Sequence, residues 1–112
     1  MPDPRTAEAR GVRELRELDS VLRALAHASR RHVLVVLQAR GGRMAAGAIA
    51  KRFSCSWPTT TRHLRVLEAA GLVRVERVGR EWQYVLEKGR LHEVVGGWLR
   101  HFDASPNERK QA

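Results

Sequence analysis

The chain reads as a mainly α-helical domain with one small β-hairpin placed before its last helix. Three features predict this. Apolar residues recur at helical spacing over five stretches. Alternation of period two appears between residues 72 and 87. Serine, proline and glycine punctuate the joints between these segments. With 112 residues, the chain fits one domain, which leaves little room for an enzyme cleft beside the core.

Leu15, Leu18, Leu22 and Leu25 lie 3, 4 and 3 residues apart and form one stripe of a first helix. Arg10 with Glu14 and Arg13 with Glu17 add i,i+4 pairs on its polar side. Ser29 is placed to cap a second helix that turns Val33, Leu34 and Leu37 inward and stops at Gly41-Gly42. A short third helix runs from about Ala45 to Phe53, burying Ile49 and Phe53. After the turn Ser54-Cys55-Ser56, Ser56 reads as the N-cap of a fourth helix. Pro58 stands in its first turn, where a missing N–H costs nothing, and Gly71 follows its end. Val73 and Val75 alternate with Arg74 and Glu76, and Trp82, Tyr84 and Leu86 alternate on the next segment, with a turn at Val78-Gly79-Arg80-Glu81. These segments make the hairpin of residues 72–87. The last helix covers about Gly89 to Phe102. Residues 1–12 and 104–112 are polar and are expected to be flexible tails around a domain at 13–103.

Charge is unevenly placed. The chain carries 21 basic and 12 acidic residues, a formal charge of +9. Residues 23–80 hold twelve basic side chains against only Glu68 and Glu76, whereas the two ends are close to neutral. One region is therefore suited to a polyanion, and nucleic acid is the usual one. The single cysteine, Cys55, rules out an intrachain disulfide and a cysteine-rich zinc site. It fits a reducing cytoplasm. The N-terminal residues lack the apolar run of a secretion signal, and no apolar run approaches bilayer-spanning length, so no membrane contact is expected.

Two helices joined by a tight turn, the second amphipathic and basic, form a helix-turn-helix, and the hairpin after it is a wing. At this point the sequence resembles the ArsR/SmtB family of winged-helix repressors over roughly residues 18–102. The stretch AIAKRFSCSWPTTTRHLRVLEAAGLV (residues 48–73) is similar to the family's third helix, turn, recognition helix and first wing strand. ALAHASRRHVLVVL (residues 24–37) and VGREWQYVL (residues 78–86) match upstream and downstream segments in order. The Ser56-Trp57-Pro58 start looks closer to the branch without the usual metal motif.

On a helical wheel Thr60, Leu64 and Leu67 face the core. Arg62 and Arg65 lie opposite, with Pro58 and Thr59 near them and Thr61 at the edge. Arginine is suited to bidentate contact with guanine or to phosphate, and threonine to base edges and the thymine methyl. The expected DNA contacts are Thr59, Thr61, Arg62 and Arg65 in the groove and Ser56 and Trp57 at the helix start. Arg77 and Arg80 near the wing tip reach the minor groove or backbone, and Arg74 adds a phosphate contact. His63, beside the buried stripe, reads as a packed residue rather than a ligand.

The resemblance implies a homodimer paired through the first and last helices. Leu15, Leu18, Leu22, Leu91, Val95, Trp98 and Phe102 are the interface candidates. Close approach of helices would account for Gly96-Gly97, which otherwise only weakens the last helix. Many relatives bind metal through cysteines in the third helix, but this chain reads Met44-Ala45-Ala46-Gly47-Ala48 there. His92, Glu93 and His101 do not reproduce the other usual site, and His27 and His32 do not share a helix face. No metal and no cofactor are expected. Cys55 is a candidate redox thiol near a helix N-terminus and Arg52, although with no resolving cysteine the inert reading is preferred. The expected function is binding to double-stranded DNA as a dimeric regulator, a repressor at a palindromic promoter site. The sequence identifies no inducer. The competing reading is a winged-helix protein-interaction module without DNA binding, anchored by Trp57, Trp82 and Trp98. An enzyme is not expected, because no catalytic motif is present.

Overall fold

The computed structural model describes residues 4–53 and 56–103. Its elements run α1 (Pro4–Leu25), α2 (Ala28–Ala39), β1 (Arg43–Ala45), α3 (Ala46–Phe53), α4 (Trp57–Ala69), β2 (Val73–Val78), β3 (Glu81–Leu86), α5 (Lys88–Leu99) and a closing 3-10 turn, Arg100–Phe102. The expected order of five helices and a hairpin is present. Three details differ from the sequence reading.

First, α1 begins at Pro4, well ahead of residue 13. Proline is favoured at a first helical position because its missing N–H has no partner to lose there, so Pro4 opens the helix where the sequence reading took it for loop. Second, Arg43–Ala45 forms a strand. It pairs antiparallel with β3, with Arg43 opposite Val85 and Ala45 opposite Gln83. The sheet order is β1-β3-β2, so the hairpin is the outer part of a three-stranded sheet. Third, Leu18 is buried inside the chain, 8% exposed, with Val21 and Ala24. It sits on the side of α1 that meets the core, so it is unavailable to a partner. The expected tail at 104–112 and Cys55 lie outside the described residues.

The core is where the stripes of the helices meet. Leu37 of α2, Ile49 of α3, Leu64 and Leu67 of α4, and Leu72 and Val73 at the start of the hairpin are all essentially sealed from solvent. Each such side chain contributes roughly 1.5–3 kcal/mol of transfer free energy. This cluster fixes α4 by one face and leaves its other face outside.

Both ends of α4 are set by local chemistry. The Ser56 side chain accepts from the Thr59 N–H at 3.3 Å and donates to Thr59 Oγ1 at 2.9 Å, which satisfies a donor the helix itself cannot. Pro58 stands in the first turn. At the other end Gly71 N–H bonds to Glu68 O at 2.9 Å and Leu72 N–H to Leu67 O at 3.0 Å. That is a Schellman ending, which requires the left-handed backbone that Gly71 adopts at φ 76°. The chain then enters β2 directly, so helix and wing are joined by three residues, 70–72.

The α1–α2 corner is held by arginines. Arg30 Nε donates to Ala24 O at 2.7 Å, Arg30 Nη2 to Arg23 O at 3.1 Å, and Arg31 Nη1 to Leu25 O at 2.6 Å. Two side chains from α2 thus close the last carbonyls of α1, which have no partner within their own helix.

Candidate nucleic-acid interface

Helix α4 presents two opposite faces. Thr60, Leu64 and Leu67 are buried, and the Thr60 hydroxyl donates to Ser56 O at 3.0 Å. The opposite face is an open, shallow surface lined by Trp57, Pro58, Thr61, Arg62, Arg65, Val66 and Ala69. Arg62 and Arg65 are exposed and form no ion pair among the described residues. Trp57 is also exposed, at 54%, and so stands on the outer surface. Ser56 is exposed with its hydroxyl committed to the cap, and Thr59 is half-buried with its hydroxyl bonded to Ser56. Thr61 is half-buried at the edge of the open face.

The wing has two chemically distinct faces, because paired residues in an antiparallel ladder point the same way. On one face Arg74 bonds Glu76 at 2.9 Å and also bonds Glu87, while Arg43 lies 3.2 Å from Glu76. These contacts raise the Arg74 pKa, Glu76 first and Glu87 second, and hold Glu76 below the usual carboxylate range through Arg74. The expected role of Arg74 as a phosphate contact is therefore corrected: two carboxylates already neutralise it. Glu87 lies thirteen residues away, so alternation within the strand did not show the pairing.

The other wing face carries the paired positions Val73 with Leu86, Val75 with Tyr84 and Arg77 with Trp82. It runs from the core outward. Burial raises the Tyr84 pKa, and Tyr84 and Leu86 pack against the core cluster that includes Leu64 and Leu67 of α4. Beyond Tyr84 the Arg77 guanidinium sits 5.2 Å from the centroid of the Trp82 ring, and its Nε donates to Gly79 O at 3.3 Å. Trp82 is 53% exposed. Arg77 and Arg80 are exposed and have no carboxylate partner among the described residues.

A link between α4 and the α1–α2 corner went unread in the sequence. The His63 and His27 rings lie 4.5 Å apart, and Arg30 Nη1 is 3.4 Å from His63 Nδ1. A ring nitrogen facing a guanidinium accepts, so His63 is neutral there. Burial pushes its pKa below the ordinary histidine value, and the charges of His27, Arg30 and Arg62 push it the same way. His27 Nδ1 in turn accepts from Ser29 N–H at 3.2 Å and caps α2, the role expected of Ser29. The residues of this cluster are up to 36 positions apart, beyond the reach of any periodicity.

On the far side, Leu15, Leu22, Trp98 and Phe102 are exposed, Phe102 at 69% and Leu15 at 61%. Trp98 and Phe102 stack edge to face, with centroids 5.2 Å apart. Leu91 and Val95 are partly buried against the core. A side chain at Gly96 or Gly97 would meet only the Arg100 guanidinium at 3.7 Å, so no neighbouring helix of this chain requires these glycines. Among the described residues no cluster of three or more His, Cys, Asp or Glu could hold a metal ion. Nor is any helix long and apolar enough to cross a membrane.

Residues 25–76 match the family model described as a helix-turn-helix domain. The chain is 30% identical over 91 residues to the transcriptional repressor SdpR of Bacillus subtilis, covering 81% of this chain and 99% of that protein. Among solved structures, an ArsR-like transcriptional regulator from Rhodococcus sp. RHA1 superimposes with a TM-score of 0.71 at 30% identity, covering 87% of this chain and 89% of the other. The winged helix-turn-helix domain of a possible ArsR-family regulator from Mycobacterium bovis, described as homodimeric and DNA-binding, gives a TM-score of 0.64 at 22% identity over 96% and 93% of the two chains, and so bears on the fold. Fold, exposed basic helix and relatives agree: the chain belongs to the ArsR/SmtB family of winged helix-turn-helix, DNA-binding transcriptional regulators.

Proposed function

We propose that the chain is a cytoplasmic homodimer that reads a palindromic promoter site in double-stranded DNA and represses transcription by occupying it. Helix α4 enters the major groove with Arg62 and Arg65 towards the bases, flanked by Thr61 and the Trp57-Pro58 turn. Thr59 and Ser56 complete the helix start, whose backbone N–H groups favour phosphate. Arg77 and Arg80 of the wing lie along the neighbouring minor groove or backbone.

One observation carries this reading. The side of α4 opposite the core bears two arginines with no carboxylate partner among the described residues. Arg74, by contrast, is paired with two carboxylates, and Arg30 and Arg31 are bonded to backbone carbonyls. The dimer is supported by the exposed apolar side chains Leu15, Leu22, Trp98 and Phe102 on α1 and the end of the chain's last helix. Such side chains gathered on one side commonly mark an interface. The Mycobacterium bovis neighbour, described as homodimeric, points the same way. Two-fold pairing places two recognition helices about one turn of DNA apart.

Selection of bound duplexes from random DNA tests the proposal, and a palindromic consensus is the expected result. On that duplex, Arg62→Ala should cost roughly 5- to 150-fold against the correct site and much less against a mismatched one, the range for one bidentate base contact. Arg80→Ala should weaken all duplexes alike and reduce the salt slope by about one. A salt-independent affinity, or selection without a consensus, would refute sequence-specific binding. A promoter-reporter assay separates repression from activation.

A further inference from the structure

The wing contains an arrangement that the recognition helix does not explain. Arg77 lies directly opposite Trp82 in the β2–β3 ladder and places its guanidinium 5.2 Å from the ring centroid. Its Nε also donates to Gly79 O at 3.3 Å, in the two-residue loop at the tip. Stacking on the ring and the bond to the turn together confine a long side chain that is otherwise free to roam. Neither partner is needed for the core, since Trp82 is 53% exposed. A tryptophan half in water has a cost in solubility and none of the usual gain in burial.

Its position gives it a use. The Arg77–Trp82 pair continues the row Val73–Leu86 and Val75–Tyr84 outward past α4. Tyr84 and Leu86 in that row pack against the core cluster that includes Leu64 and Leu67 of the recognition helix. The opposite wing face is spent on Arg43, Arg74, Glu76 and Glu87, which balance one another. The unbalanced, pre-ordered cation is therefore on the wing face whose inner end packs beside the recognition helix.

We propose that Trp82 is a positioning residue for DNA specificity: it holds Arg77 stacked at the wing so that the protein prefers half-sites flanked by a narrow, A·T-rich minor groove. This rests on the DNA-binding reading above. A narrow minor groove carries enhanced negative potential and attracts an inserted arginine. A fixed guanidinium is more selective for groove width than a mobile one, because it enters without losing further side-chain freedom. Trp82 itself need not touch DNA.

The test uses the full chain and duplexes with one constant palindrome and either an A-tract or a G·C run at the wing position, read by fluorescence anisotropy. Wild type should favour the A-tract flank several-fold. Trp82→Leu should reduce that ratio by roughly two- to fivefold, the strength of an exposed cation–π contact, while leaving discrimination within the palindrome unchanged. Trp82→Phe should keep most of the ratio. Arg77→Lys, which retains the charge but not the flat stacking surface, should lose the ratio while keeping the salt slope. If Trp82→Leu loses the fold by circular dichroism, Arg77→Lys carries the decision alone. An unchanged flank ratio in the folded variants overturns the inference. A wild type that binds the palindrome without flank preference also overturns it and leaves the DNA-binding reading intact. A wild type that binds no duplex overturns both.

Discussion

Arg30 joins three helices through one guanidinium, and removing it should both loosen the fold and release a histidine. Its Nε and Nη2 donate to the carbonyls of Ala24 and Arg23 at the end of α1, and its Nη1 faces His63 on the recognition helix. A hydrogen bond from a charged donor contributes about 1.5–3 kcal/mol where it is shielded. The bond to Ala24 is partly buried and is taken at the lower value, about 1.5 kcal/mol. The bond to Arg23 is exposed and is discounted to about 0.5 kcal/mol. The 3.4 Å contact with His63 adds little by itself. Arg30→Met, which keeps the aliphatic stem, should therefore cost about 2 kcal/mol. In a domain of this size that lowers Tm by roughly 8 °C at fixed protein concentration. Arg30→Lys should recover part of this loss, since an ammonium cannot span the same fork. Arg31→Ala, which removes one exposed bond to Leu25, should cost clearly less. The second readout is independent of the first. With Arg30 gone, one of the charges that lowers the His63 pKa disappears while burial remains, so His63 should titrate higher but stay below an ordinary histidine. Thermal melts with NMR titration of the histidine rings decide the matter. A Tm shift under about 2 °C with His63 unmoved would show that the corner does not depend on this side chain.

Three further outcomes are expected. Because the folded state lowers the His63 pKa, the unfolded chain binds more protons once pH falls below about 6.5. The stability due to neutral His63 is thus complete above that pH and is lost towards the lowered value. Urea denaturation across this window should show a shallower acid-side loss in His63→Gln than in wild type, and parallel curves would contradict it. Gly71→Ala should cost about 1–2 kcal/mol in the same assay, since Gly71 is at φ 76° and the new methyl would stand 3.2 Å from Arg90 Nε; a neutral result would mean that α4 can end another way. Leu15→Glu combined with Phe102→Glu should leave the melting of a monomer intact while shifting the sedimentation equilibrium from dimer to monomer and weakening operator binding, and a persistent dimer would move the interface elsewhere.

Much of the DNA-reading part is legible in the sequence, because its signals are local. Ser56, Pro58 and Gly71 mark the ends of α4 by their own chemistry, and Thr60, Leu64 and Leu67 mark its inner face by spacing. What escaped notice depends on contacts across the chain. Arg43–Ala45 is too short to show alternation and becomes a strand only because β3 lies beside it. Leu18 belongs to the same stripe as Leu15 and Leu22, and only packing into the core cluster separates the buried member from the exposed ones. Arg74 alternates like any wing residue, and its loss of free charge depends on Glu87 beyond the next strand. The polar composition of residues 1–12 hides the start of α1, because proline disfavours helix everywhere but at its opening, where it has nothing to disrupt.

The small strand before α3 also bears on how a signal could travel. Arg43–Ala45 is laced to β3 and runs without interruption into α3, while β2 leaves the end of α4 after three residues. Helix α3 and the wing are thereby held to one another by ladder bonds as well as by the chain, and the angle between them cannot open unless those bonds break. The α1–α2 corner lies outside this ladder and is held by the side-chain bonds of Arg30 and Arg31 instead. A pull on the wing from the neighbouring helices would therefore be felt by α3 as well, the two answering as one piece.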